Sequence, residues 1–177
     1  MPKMNGNYII TSDQVQIRLT SENDLDFVLQ TEHHEDNIRF ITPWTREQHR
    51  NSIESPDSLH LVIENRRSEP VGYMIVNGLQ NQNRCIELMR IVISDKSRGY
   101  GKSAIRLMQE YVFNHLGAHR LWLDVKDHNE RAFNLYKSLG FQYECMLREC
   151  LKAGDGYESL IIMGILKREF DNLDGNG

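Results

Sequence analysis

The stretch Ile91-Val92-Ile93-Ser94-Asp95-Lys96-Ser97-Arg98-Gly99-Tyr100-Gly101-Lys102-Ser103 decides how the chain is read. A run with strand spacing, Cys85 to Ile93, stops at a polar loop that carries two glycines. Beyond the loop, Ile105, Met108, Val112 and Leu116 fall on one stripe, which predicts a helix from about Lys102 to Leu116. Strand, glycine loop and helix in that order make an anion site. Free backbone N–H groups and the positive end of the helix dipole converge there, and glycine lets phosphate oxygens approach the chain. Glycines that only close a tight turn would leave the same trace.

Two familiar phosphate patterns compete for this window. Gly101-Lys102-Ser103 ends like a P-loop, but the first glycine of that motif would fall on Lys96, so the match fails. Gly99-x-Gly101-x-x-Ala104 satisfies a dinucleotide fingerprint, and Asp124 lies twenty residues beyond Ala104, where a ribose-binding acid belongs. The rest of the chain argues against it: that fold needs further strand–helix units, and only one helix and a hairpin follow Asp124.

Outward from the loop, Val15 to Leu19 alternates as a strand, and a helix capped by Thr20-Ser21-Glu22 runs to about His33. Glu35 to Trp44 shows no clear period, and Thr45 to Ile53 predicts a short helix. Leu59 to Glu64, Val71 to Leu79 and Cys85 to Ile93 are three strands on short polar connections, hence an antiparallel meander. Past the glycine loop and its helix, Leu121 to Val125 alternates as a strand. Asn129 to Leu139 is a helix with Ala132, Leu135, Tyr136 and Leu139 facing the core and Gly140 as its cap. Phe141 to Leu147 and Tyr157 to Leu166 are strands joined across Ala153-Gly154-Asp155-Gly156, and the tail from Asp171 is expected to fray.

Lys96-x-x-Gly99-x-Gly101 followed by Asn129-x-x-Ala132-x-x-Leu135-Tyr136-x-x-Leu139-Gly140-Phe141 resembles the GNAT (Gcn5-related N-acetyltransferase) superfamily. The resemblance runs from about Val15 to Leu166. It implies one α/β domain over residues 1–177, ordered from about 15 to 168, with a mixed, mostly antiparallel sheet flanked by helices. It also implies transfer of an acetyl group from acetyl-CoA to a primary amine: a small amine, a polyamine or a protein N-terminus. Gly140-Phe141 leading to Leu147-Arg148-Glu149 is similar to the branch of ribosomal-protein and polyamine acetyltransferases. Lys96 departs from the glutamine or arginine usual in the family; it keeps the positive charge but not the planar donor geometry.

The resemblance assigns the loop residues Arg98, Gly99, Tyr100, Gly101, Lys102 and Ser103 to the pyrophosphate of acetyl-CoA, and Ile91, Val92 and Ile93 to its pantetheine arm. A bulge on that strand would direct an N–H at the thioester carbonyl. Asn129 matches the family asparagine on the pantetheine arm, although a helix N-cap explains it equally well. Tyr136 matches the tyrosine that donates a proton to the departing thiolate; a core tyrosine on the helix stripe is the alternative. Glu87, an acid among Ile86, Leu88 and Met89, is the candidate general base, unless it is simply paired with Arg90 or another basic residue. Glu149 and Glu158 are lesser candidates.

The chain has 177 residues and a net charge of −4, which disfavours a nucleic-acid partner and suits a cationic acceptor. Apolar residues make up 40% and charged residues 26%, an ordinary globular balance. Three cysteines with no metal-ligand spacing fit a reducing cytoplasm. His33-His34 reads as a surface pair, and no metal is expected. With neither an apolar leader nor a membrane-length run, a cytoplasmic protein is expected, as a monomer or homodimer. A protein that holds acetyl-CoA without turning it over is the alternative from another class.

Overall fold

The computed structural model describes residues 8–174. Along the chain run β1 (Tyr8–Thr11), β2 (Val15–Leu19), a 3-10 turn (Glu22–Asp24), α1 (Leu25–His33), α2 (Glu35–Ile38) and α3 (Arg46–Glu54). Then come β3 (Ser58–Asn65), β4 (Pro70–Asn77), β5 (Cys85–Ile93), α4 (Tyr100–Glu110), a π-helical turn (Tyr111–His115) and β6 (Arg120–Lys126). The chain closes with α5 (Glu130–Ser138), β7 (Gln142–Ala153), β8 (Gly156–Leu166) and α6 (Lys167–Asp174).

The strands form one eight-stranded sheet in the order β1-β2-β3-β4-β5-β6-β8-β7. Every neighbouring pair is antiparallel except β5 and β6, which run parallel. Alternation on β4 separates the two faces: Met74 and Val76 point to one, Tyr73 and Ile75 to the other, and a register shift at Val71 lets that residue join the first face. The first face carries the main core, where Ile105, Met108 and Phe113 of the α4 region and Phe170 of α6 meet Ile17, Leu61, Leu121 and Ile165. Fully burying each such side chain is worth about 1.5–3 kcal/mol. On the second face Val28 of α1 and Trp44 cover Tyr73, Ile75 and Val92.

Helix ends follow local chemistry. Thr45 and Gln48 form a reciprocal capping box on α3. Gly140, at φ 89°, ends α5: Phe141 N–H donates to Tyr136 O and Gly140 N–H to Lys137 O, the two bonds of a Schellman motif.

Four expectations need correction. Ordered structure extends past 15–168: β1 precedes Val15, and the tail forms α6 rather than fraying, because Phe170 stacks on Phe113; residues 175–177 lie outside the described chain. Leu116 is exposed, because the π turn at Tyr111–His115 resets the helical stripe and puts Phe113 in the core instead. The segment after Glu35 opens with a single helical turn, α2. β7 continues beyond Leu147 to Ala153 and is exposed along almost its whole length, with irregular pairing between Leu147 and Leu151. Among the described residues no helix is long and apolar enough to cross a membrane.

Candidate functional site

The sheet splits where its one parallel pair ends. β5 and β6 pair only through Cys85–Arg120, Ile86–Leu121 and Glu87–Trp122. Beyond that point β5 continues with β4 alone and β6 with β8 alone, so the two strands diverge into a fork. The pairing of β4 with β5 steps from Ile75–Arg90 to Val76–Leu88, which leaves Met89 as the extra residue of a bulge. The side of β5 that faces the fork, over Ile91, Val92 and Ile93, therefore offers backbone groups to an extended ligand.

Glu87 sits at the crotch of the fork, half-buried. Its side chain makes no hydrogen bond or ion pair among the described residues, so the expected alternative of a Glu87–Arg90 pair does not occur. Arg90 is committed elsewhere, to Glu32 and, at 2.8 Å, to the Thr42 carbonyl, with its guanidinium 4.8 Å from the Trp44 ring centroid. Burial, with Asp124 adding its charge, pushes the Glu87 carboxyl up to about 7. Glu158 is removed as a rival base: Lys126 at 2.9 Å and His128 at 3.0 Å hold it ionised and lower its pKa.

Arg90 belongs to a buried polar chain with no trace in local sequence spacing. Glu32 is fully buried. Besides Arg90 it accepts from the Tyr73 hydroxyl and, at 3.0 Å, from Trp44 N–H, and His49 lies 3.2 Å away. His49 Nδ1 contacts His60 Nε2 at 2.9 Å, and His60 Nδ1 contacts Thr20 Oγ1 at 2.8 Å. These donors outweigh burial and pull the Glu32 carboxyl down to about 2, while burial drives His60 down to about 3, so that His60 stays neutral. Together they tie α1 and α3 to the bulge of β5.

The glycine loop has the geometry of an anion cradle. Gly99 is the N-cap of α4 in the left-handed region, φ 79°. Ser103 N–H closes the first turn onto Gly99 O at 3.1 Å. The preceding amides of Tyr100, Gly101 and Lys102 lie in the first turn, where a helix offers no acceptor. Gly101 is helical, and a Cβ there would meet Ile93 Cγ1 at 3.5 Å, an ordinary contact. The neighbouring side chains are already engaged: Ser103 Oγ bonds Gln14, Arg98 pairs with Asp95 at 3.1 Å, and Lys96 Nζ donates to the Asp36 carbonyl at 2.9 Å. Lys96 is thus held against α2, and burial lowers its pKa.

Asn129 caps α5 through Oδ1, which accepts Ala132 N–H at 3.2 Å. Two turns on, Tyr136 is half-buried, its ring edge against Phe141 at 6.0 Å between centroids. Its hydroxyl has no hydrogen-bond partner among the described residues. Burial, then the charge of Asp124, pushes it up to about 12. Asp124, which the sequence singled out only through the dinucleotide spacing, thus acts electrostatically on both Glu87 and Tyr136. It projects from β6 between the buried Leu123 and Val125 and is itself exposed. On the same sheet face, an open polar pocket of about 430 Å³ is lined by Trp44, Gln48, Asn51, Ser52, Asp57 and Asn77, among others. Asn77 is the cross-strand neighbour of Glu87.

Among the described residues no group of three or more His, Cys, Asp or Glu could hold a metal. His33 and His34 are exposed and bonded locally, His33 to the Leu29 carbonyl and His34 to Asp36 N–H.

Comparison with known proteins adds a frame to this geometry. The profile described as the acetyltransferase (GNAT) family matches residues 27–141. Spermidine N(1)-acetyltransferase of Escherichia coli K12 is 25% identical, over 90% of this chain and 90% of its own. The Vibrio cholerae enzyme of the same name is 23% identical over 91% of this chain and 98% of its own. A crystal structure of spermidine N-acetyltransferase from Vibrio cholerae in complex with CoA and spermine superposes with a TM-score of 0.82 at 22% identity, covering 91% of this chain and 100% of that one.

Proposed function

The chain belongs to the GNAT acetyltransferase family, and from that premise we propose that it transfers the acetyl group of acetyl-CoA to a primary amine of a polyamine, with Glu87 as general base and Tyr136 as proton donor. The observation that carries the reading is the unpaired Glu87 at the crotch of the β5–β6 fork, on the strand that leads into the glycine loop. The curated relatives are named for spermidine acetylation, which supports a polyamine acceptor. The net charge of −4 agrees with a cationic substrate.

The residues present fit the coenzyme. The first-turn amides of Tyr100, Gly101 and Lys102 would hold its pyrophosphate, with the charges of Arg98 and Lys102 and the hydroxyl of Ser103 at the margins of the cradle. Ile91, Val92 and Ile93 would supply a free strand edge for the pantetheine arm, and Asn129, at the start of α5, would add a hydrogen-bonding group. Acetyl-CoA, when bound, supplies the acyl group already activated as a thioester.

With its carboxyl raised to about 7, Glu87 is close to half ionised at neutral pH and takes a proton from the incoming ammonium, directly or through water. Tyr136, raised to about 12, stays protonated and can donate. A free thiol near 8.5 would be a poor match for so weak an acid. The burial that raises the phenol would also raise a thiol bound near it, which would narrow the difference.

Spermidine and acetyl-CoA incubated with the protein should release free thiol and acetylated polyamine. Binding of acetyl-CoA with no thiol release across a polyamine and small-amine panel would favour the non-catalytic alternative. Gly101→Val tests the cradle with little strain, since a Cβ fits there; acetyl-CoA affinity by calorimetry should fall at least about tenfold while the fold survives. Gly99→Val should lose both affinity and stability, because a β-branched residue resists φ 79°. Unchanged affinity in both variants would remove the loop from the cofactor site.

A further inference from the structure

We infer that Asp124, on the open arm of the fork, is an acceptor-binding residue: its carboxylate holds the cationic amine against Glu87 and thereby selects charged amines over neutral ones. The inference rests on the functional reading above and adds to it a residue which that reading does not use.

Position comes first. Trp122 is the last β6 residue paired to β5, directly beside Glu87. Asp124 follows two residues on, so alternation puts it on the same sheet face as Trp122 and Glu87. Leu123 and Val125 turn into the core, whereas Asp124 is exposed to the fork. Its β8 neighbour is Ile162, which offers no charge.

Partnership comes second. Neither the Asp124 nor the Glu87 side chain has a hydrogen bond or ion pair among the described residues. The nearby cations are already taken. Arg90, on β5, is bound to Glu32 and the Thr42 carbonyl. Lys126, two residues further along β6, is bound to Glu158 at 2.9 Å and the Arg39 carbonyl at 3.2 Å. His128, just beyond β6, also contacts Glu158. From α5, Tyr136 packs against the main core yet lies near enough for the Asp124 charge to raise its phenol, which stays neutral. Two carboxyl groups therefore face the cleft with no hydrogen-bonded or ion-paired cation of their own, Arg90 acting on Asp124 only through its charge.

Electrostatics agree with the geometry. The Asp124 charge raises both Glu87 and Tyr136, so it lies within reach of each. Although open to solvent on the fork side, Asp124 is partly desolvated by the strand walls, which raises its own pKa, and the charge of Arg90 partly offsets that. A primary ammonium has three N–H donors, enough to bridge both carboxylates, and its charge relieves their repulsion.

The test is Asp124→Asn, with Asp124→Glu as the conservative control. For Asp124→Asn, the KM for spermidine should rise about tenfold or more, the loss of one hydrogen bond to a charged group. The KM for acetyl-CoA should stay unchanged. The acid limb of kcat/KM should move to lower pH, because removing the neighbouring negative charge lets Glu87 ionise more easily. Asp124→Glu should recover part of the spermidine KM. An unchanged spermidine KM with an unmoved acid limb would overturn the inference, and so would an equal rise in the KM for acetyl-CoA. Calorimetry of spermidine into the protein with CoA bound separates this from the proposed function. If wild type turns nothing over, that function fails; weaker spermidine binding by Asp124→Asn would still support Asp124 as the receptor, and equal binding would remove it.

Discussion

Glu87→Gln is expected to lower kcat for amine acetylation by about 10²–10⁴-fold, the usual cost of one general base. The pH dependence carries more information than the size of the loss. In wild type the carboxyl is raised to about 7, so the rate should fall as pH drops through that value and the base becomes protonated. Glutamine cannot titrate, and that inflection should vanish from the variant. The ratio of wild type to variant is therefore largest above pH 7 and narrows below it. A variant whose profile overlays that of wild type would make Glu87 structural.

Stability gives an independent reading of the same residue. A carboxyl whose folded pKa lies above its unfolded value disfavours folding once it ionises. The penalty is absent below the unfolded value near 4.5, grows as pH rises, and is complete above about 7. Glu87→Gln removes the penalty and should stabilise the protein at pH 8 by about 1–3 kcal/mol, but hardly at pH 4. Denaturant unfolding at the two pH values measures this. Lower activity with higher stability is the pattern expected of a group kept for chemistry. A residue needed for packing would lose both.

Tyr136→Phe should reduce turnover by one to several orders of magnitude. The substitution keeps the ring against Phe141 and deletes only the hydroxyl. That hydroxyl has no partner among the described residues, so thermal stability should barely change. Affinity for acetyl-CoA should stay near wild type, because the lost interaction strengthens mainly in the transition state. Full activity would leave solvent as the proton donor. A fall in activity matched by a fall in stability would return Tyr136 to the core.

β1, α2 and α6 apart, the order of the elements could be read without coordinates, as could the glycine loop, the Gly140 cap and the family resemblance. Each depends on neighbours within a few positions: alternation along β3, β4 and β5, the stripe of α4, the glycines at 99 and 101. Backbone periodicity and φ preference are local, and they leave a local trace. Glu87 could be named as an acid in an apolar strand, but whether Arg90 neutralised it could not. That answer depended on Glu32, fifty-eight residues from Arg90 in the chain, which captures the guanidinium in three dimensions. The fork has the same origin. Nothing in β5 or β6 alone says that their pairing stops at Glu87 and Trp122, because register between strands is set by the packing of the whole sheet. Asp124 became legible only with the fork. In the sequence it is one polar residue of an alternating strand, indistinguishable from any solvent-facing position. The tertiary structure decided that the solvent it faces is the cleft beside Glu87 and Tyr136, since proximity between distant segments is a property of the fold and not of spacing along the chain.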